Sequence, residues 1–505
     1  MDEIISGKRE EGNNAVNQNI LAAKTLSNLI KTTLGPKGRD IMLVDSNGKI
    51  TVTNDGVTIL SEARIDHPAA RLICEISKTQ EKEIGDGTTS VVMLCGELLK
   101  EAEKLMDMGV HATSIIKGYN LAMNKAQEIL KENSVKCESN EILEKIAQTA
   151  MTGKGAEGHR EHLGKIIVMA SQTDKENIIF NGIIGLPVNE TRLIKGLVLD
   201  KEIPPEIDKK ELKNAKIGLL DTELDMRQTE IDTNIQFSNY EDISQFQKSE
   251  DEKLREYSDL VINSGVDIVF CSKSIHDKVI SRLSGKGIIA IRRVNKYDMG
   301  MLSRTTGAKI INNLEEFKEE NFGKAGKIYQ NRISDDECKL FIEECPNEGC
   351  TILVCATSEH LLHETKRAIT DGLGDVLACK NDYYVAGGGA IEMELSKELR
   401  KYAQTLKGRE QLSVIGFSEA LESIPKTLAK NGGLDPINII TELRNEHEMG
   451  KMYSGIDLFQ DKLDNTLDKG IIEPIKIKSL ALNSATEVAS QILRIGEIMM
   501  AQEGK

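Results

Sequence analysis

Residues 83–98, EIGDGTTSVVMLCGEL, run an acidic, glycine-broken turn into two threonines and then into an apolar helical stretch. A helix start leaves backbone N–H groups unpaired and carries the positive end of the helix dipole, so a glycine-rich turn entering a helix is a natural anion cradle. Gly85 and Gly87 allow close approach and unusual dihedrals, and the hydroxyls of Thr88 and Thr89 can donate to phosphate oxygens. Asp86 repels a phosphate unless a cation lies between them. Magnesium binds in that way, through one or two carboxylates plus phosphate oxygens and water. Taken alone, Asp86 reads equally well as the N-cap of the helix that follows.

Three further stretches have related chemistry. TLGPKG at 33–38 ends a helix on a glycine turn, TNDG at 53–56 sets Asp55 on a hairpin tip, and VAGGGAIE at 385–392 enters another helix through glycines. Each is weak singly, because glycine-rich turns are common. TGKGAE at 152–157 has a GK pair but not the G-x-x-x-x-G-K-[ST] frame, so an ordinary P-loop is excluded. Cys338, Cys345, Cys350 and Cys355 crowd together ahead of His360 and His363, yet contain no C-x-x-C pair. Their spacing favours structural thiols over a zinc site.

The elements that must carry these turns are mostly helical. A 3.6-residue period runs from Asn19 to Thr33, Pro68 opens a helix at its favoured first position, and long helices are predicted from Thr88 to about Met108 and from Ala112 to Asn133. IMLVDSNGKITVTNDG reads as a hairpin. Between about 196 and 350, short apolar runs alternate with helical stretches, an α/β texture. Within it, the charged segment around 239–263 reads on composition as a solvated helix. From 384 onward the chain is helical again, so both ends build one domain around a nested insertion.

At 505 residues, two to four domains are expected. With 39% hydrophobic and 29% charged residues the chain is globular, and a net charge of −15 without a basic stripe excludes nucleic acid and anionic membrane surfaces as partners. No stretch approaches a membrane span and the N-terminus lacks a secretory pattern, which makes the cytoplasm the default location and reduced thiols the expected state of nine cysteines.

TTLGPKGRD, TNDGVTIL, DHPAARLICE, EIGDGTTSVV, VAGGGAIEMEL, ALESIPKTLAKNGG and GIIEPIKIKSLALNSATEVASQILRI occur in the order and spacing of the group II chaperonins, comprising the archaeal thermosome and the eukaryotic cytosolic chaperonin TRiC. The chain resembles that family over nearly its whole length. The resemblance implies a mixed α and α/β chaperonin fold. A mostly helical equatorial domain (1–137 and 384–505) would join a hinge-like intermediate domain (138–193 and 348–383) to an α/β apical client-binding domain (194–347). The helix near 239–263 becomes the lid-forming protrusion, against its compositional reading. Implied partners are other chaperonin subunits in two stacked eight-membered rings, and non-native protein clients; the nine cysteines tilt the choice toward a eukaryotic hetero-oligomeric ring.

Carried over by motif, the resemblance implies ATP and Mg²⁺. Leu34, Gly35 and Pro36 would approach the nucleotide, Asp86 would bind magnesium, and Gly87, Thr88 and Thr89 would hold phosphate oxygens. Gly387 and Gly388 would face the nucleoside and Glu473 the ribose, while Lys154 matches a nucleotide-sensing lysine. Asp55 and Asp371 would flank the attacking water, Asp371 being preferred over Asp375 one turn later. Gly372 and Gly374 are weak helix positions beside it, each costing about 1 kcal/mol relative to Ala. A shortened segment at 171–196, Cys355 and Ala356 in place of a frequent Arg-Gly, and a C-terminus without a long tail mark a divergent subunit. The expected activity is ATP hydrolysis coupled to folding of enclosed clients; the alternative is a nucleotide-binding ring scaffold with weak hydrolysis.

Overall fold

The computed structural model describes residues 7–501, apart from 12, 45–47, 49, 64, 206, 208–209, 226–239 and 334–337. The chain divides into two compact units. One joins residues 1–168 to 363–505, and the other comprises residues 169–362.

The first unit is built around helices Asn13–Ile30, Pro68–Glu83, Thr88–Asp107, Ala112–Glu132, Ala390–Thr405, Arg409–Leu421 and Ile475–Arg494, drawn from both ends of the sequence. Their apolar faces form one core in which Ile73, Val92, Leu98, Tyr119, Phe417 and Ile492 are fully buried. Tyr119 meets Phe417 edge to face and donates its hydroxyl to the Leu98 carbonyl, so the buried phenol is satisfied. Strand Gly7–Glu11 pairs antiparallel with Glu497–Ala501, tying the first described strand to the last.

Pro68 stands at the first position of its helix, as its missing N–H and fixed φ favour. The predicted hairpin is Ile41–Val44 against Ile50–Thr53, its Ser46–Asn47 turn lying outside the described residues. Asp55 departs from the expected tip. It sits at the hairpin's exit, where its carboxylate accepts from the Thr58 N–H and caps helix Gly56–Glu62.

The second unit carries the α/β texture. Strands Ile289–Ile291, Ile268–Cys271 and Glu211–Leu220 run parallel, and Gly323–Arg332, Cys338–Glu343 and Gly196–Leu199 continue the sheet antiparallel; Ile310–Ile311 joins Glu211–Leu220 off this path. Cys350–Ala356 lies in a separate three-stranded sheet between Ile178–Ile184 and Arg192–Ile194. The charged segment is helix Tyr240–Asn263, but it is not simply solvated. Leu254, Ser258 and Val261 are buried, and the two apolar ones pack with Val269, Val279 and Leu283. The compositional reading underestimated it because, among the described side chains, a stripe of Leu254, Ser258 and Val261, flanked by Tyr257 and Ile262, suffices to dock a helix otherwise rich in charge. No helix among the described residues is long and apolar enough to cross a membrane.

Candidate functional site

Helix Thr88–Asp107 starts on Gly87 at φ +81°, and no side chain caps it. The N-cap reading of Asp86 therefore fails. The Asp86 carbonyl accepts from Gln80 Nε2 at 3.0 Å, which fixes the turn and leaves the carboxylate half-exposed. A Cβ on Gly87 would lie 2.7 Å from the Ile477 side chain, so glycine is required here by both dihedral and space. The start of helix Gly56–Glu62 abuts the same place: Thr88 Oγ1 donates to Asp55 Oδ1 at 3.4 Å, and a Cβ on Gly56 would stand 2.9 Å from Thr89 Oγ1.

The TGKGAE turn closes the opposite side. A Cβ on Gly153 would come within 2.6 Å of Pro36 Cα, so the GPKG and TGKG turns pack backbone to backbone. Lys154 Nζ lies 2.6 Å from Asp371 Oδ2 and 3.9 Å from Asp86 Oδ1. Asp371 comes from helix Glu359–Cys379. One turn before it on the same face, Arg367 donates to Thr53 Oγ1 at 3.1 Å and stands 3.8 Å from Asp55 Oδ2.

Gly374 explains how that helix reaches the GDGTT turn. A Cβ there would fall 1.8 Å from the Ile84 carbonyl oxygen, an impossible contact with backbone, whereas a Cβ on Gly372 would meet only the tip of Ile167 at 2.9 Å. The helical weakness of Gly374 is thus the condition for close approach. Gly374→Ala is expected to cost about 1–3 kcal/mol through overpacking, and Gly372→Ala to be near neutral because helix propensity offsets a small side-chain shift. Thermal midpoints of the two variants check this contrast.

Negative charge exceeds positive around this point. Burial pushes the Asp371 carboxyl up to about 6 against the pull of Lys154, and Asp86 and Asp55 add to the rise. Burial, followed by Asp55 and Asp371, carries Glu81 to about 7 against Arg367 and Lys154. Burial opposes the charge on Lys154, but Asp371 and Asp86 outweigh it and hold the ammonium above the usual lysine range.

These turns enclose a cavity of about 460 Å³, a size typical of small-molecule sites. Its wall includes Leu34, Gly35, Pro36, Asp55, Asp86, Gly87, Thr88, Thr89, Lys154, Gly388 and Glu473. Gly387 and Asp371 are not on the wall. Gly387 lies behind it with its N–H bonded to the Ile471 carbonyl, and Asp371 reaches the cavity through Lys154. Glu473 is held from behind: Lys478 Nζ lies 2.6 Å from Glu473 Oε2 and 2.8 Å from Glu392 Oε1.

The sequence reading missed Arg367, Asn54, Lys478, Arg160 and Phe459. The i, i+4 spacing of Arg367 and Asp371 was a usable signal for the first. Asn54 bonds the Gly153 carbonyl at 3.0 Å, a contact 99 residues distant that no local pattern reveals.

Among the described residues, no three His, Cys, Asp or Glu side chains gather into a set able to hold a metal. Asp86 could therefore hold magnesium only together with ligand and water oxygens, as its half-exposed carboxylate on the wall permits. Cys350 and Cys355 are buried in one strand, Cys338 and Cys345 are half-buried, and all four are free thiols.

The TCP-1/cpn60 chaperonin family model matches residues 26–503. Thermosome subunits from Methanothermococcus thermolithotrophicus and Methanocaldococcus jannaschii are each 44% identical, covering 98% and 99% of this chain and 93% and 94% of their own. A thermosome beta subunit from Methanothermobacter thermautotrophicus is 44% identical over 97% of this chain and 92% of its own. The chain belongs to the TCP-1/cpn60 chaperonin family, as a group II chaperonin subunit.

Proposed function

We propose that this chain is an ATP-hydrolysing subunit of a double-ring chaperonin that encloses non-native proteins and assists their folding in the cytoplasm. The observation that carries the reading is the convergence of the GPKG, GDGTT, TGKG and GGG turns on one cavity with Asp55, Asp86 and Lys154 on its wall. In this reading Leu34, Gly35, Pro36 and Gly388 receive the nucleoside and nearer phosphates, Gly387 backs Gly388 from behind the wall, Glu473 meets the ribose, and Gly87, Thr88, Thr89 and Lys154 hold phosphate oxygens. Asp86 holds magnesium, whose chemistry when bound is to neutralise phosphate charge.

Phosphoryl transfer to water depends on positioning and charge neutralisation. Asp55, fixed by the Thr58 N–H and the Thr88 hydroxyl, is pre-oriented to orient a water. Asp371 approaches the same region on a helix locked against Ile84 by Gly374.

We assign the equatorial, intermediate and apical roles to the segments bounded at 137/138, 193/194, 347/348 and 383/384. Helix Tyr240–Asn263 is assigned to the lid. Asp371 would then be delivered by the intermediate segment, and hydrolysis would require closure, letting nucleotide bias an open against a closed ring of eight subunits.

Equilibrium ATP binding with and without magnesium tests the site. The unaltered chain is expected to bind ATP more tightly with magnesium, and Asp86→Asn to lose about tenfold of that gain, the order of one charge-assisted contact. Binding indifferent to magnesium in both would overturn the assignment of Asp86.

A further inference from the structure

The hairpin Ser454–Asp457 with Lys462–Asn465 contributes five consecutive residues, Ile456 to Gln460, to the cavity wall. Its root is fixed by backbone: the Ile456 N–H bonds the Gly388 carbonyl at 2.9 Å, and the Thr466 N–H bonds the Tyr453 carbonyl at 3.0 Å. Leu458 is buried in a core cluster with Leu428 and Ile439. Beyond Leu458 the character changes. Phe459 is 56% exposed although it is a large apolar ring, and Asp461 holds a positive φ of 53°.

Two cations from other elements, Arg160 at the start of helix Arg160–Ala170 and Lys37 in the GPKG turn, clasp this tip. The Arg160 guanidinium lies over the Phe459 ring, 5.1 Å from its centroid, and Lys37 Nζ lies 2.7 Å from Asp461 Oδ1. Arg160 also stands 3.6 Å from Glu157, whose other oxygen accepts from the Gly153 N–H at 3.2 Å beside Lys154. Chains of contacts thus lead from the tip to the TGKG turn and to the GPKG turn. The tip itself is preshaped, because Asp457 Oδ1 accepts from the N–H groups of Phe459 and Gln460.

A rigid root, a preshaped tip and side-chain clasps at the rim of a cavity are the parts of a flap. We infer that residues 459–461 form a flap over the nucleotide pocket, latched mainly by Arg160 on Phe459, and that this latch sets how long nucleotide stays bound. Lys37–Asp461 is an exposed ion pair and contributes little. The Arg160–Phe459 contact pairs a guanidinium with an aromatic face, which water and salt screen less. Because Arg160 is coupled through Glu157 to the turn bearing Lys154, occupancy beside Lys154 and closure of the flap reinforce one another. The inference rests on the nucleotide reading of the cavity.

The test is stopped-flow release of a fluorescent N-methylanthraniloyl ADP from the assembled full-length chain, with magnesium. Arg160→Ala and Phe459→Leu are each expected to speed release about two- to fivefold, the size of a half-exposed cation–π contact. The double variant should be no faster than either single one, because both remove the same contact. Lys37→Ala should change release least. Thermal midpoints should stay within about 2 °C, since both side chains are surface groups. Tight binding with release unchanged in Arg160→Ala and Phe459→Leu overturns the latch alone. Additive effects overturn the pairwise contact as its basis. Failure of the unaltered chain to bind the probe, or ATP in competition with it, overturns the nucleotide reading and the latch with it.

Discussion

Asp371→Asn is expected to lower single-turnover ATP hydrolysis by about 100-fold or more while leaving ATP binding intact, the scale of losing a positioned acid–base group. The side chain is nearly buried and off the cavity wall, so it adds nothing to ground-state binding directly. Its two accessible roles are to accept a proton from water and to hold Lys154. These separate experimentally. If Asp371 acts on water, Lys154→Met retains more hydrolysis than Asp371→Asn at saturating ATP, though its ATP affinity is weaker. If Asp371 only orients Lys154, the two variants lose hydrolysis and affinity together. Unchanged hydrolysis in Asp371→Asn, or none in the unaltered chain, would favour a ring scaffold that binds nucleotide without turning it over.

Much of this site was legible because its parts are local. A glycine turn running into a helix announces an anion cradle within a few residues, and the helix starting at Thr88 falls where the pattern sets it. Asp86 was ambiguous for a physical reason: a carboxylate before a helix start serves as a cap or a ligand with the same sequence signature. Only the uncapped start at Gly87 separates the two. Asp55 illustrates the reverse, since TNDG reads as a tip but the helix of Gly56–Glu62 begins immediately after it and uses the carboxylate as its cap. Gly374 looked like a defect in a helix because propensity sees only the helix itself. The Ile84 carbonyl that demands a glycine lies 290 residues away. Family motifs supplied Asp371 and Lys154, which no spacing rule pairs across 217 residues.

The buried triad behind Glu473 leads to the second large effect. Burial opposes the charge on Lys478, but Glu392 and then Glu473 outweigh it and hold the ammonium far above its usual range. Burial likewise raises the Glu473 carboxyl, with Lys478 pulling it back. Lys478→Met keeps most of the length of the side chain and removes the one charge between two carboxylates, so it is expected to cost about 3–5 kcal/mol, as breaking a buried ion pair does. The thermal midpoint of the intact chain reports this loss. The sign of its pH dependence follows from the direction of the Glu473 shift. Without Lys478 the folded state binds a proton at Glu473 still more tightly than the unfolded chain, so the deficit is smallest below the ordinary glutamate range of about 4.3 and grows as pH rises through the raised folded value. Adding Glu392→Gln to Lys478→Met removes one of the two stranded carboxylates and should recover part of the midpoint. Because Glu473 also lines the cavity, the single variant should weaken nucleotide binding. If Lys478→Met instead unfolds at the same midpoint at pH 5 and pH 8, the carboxylates are not stranded and the triad does not anchor this wall.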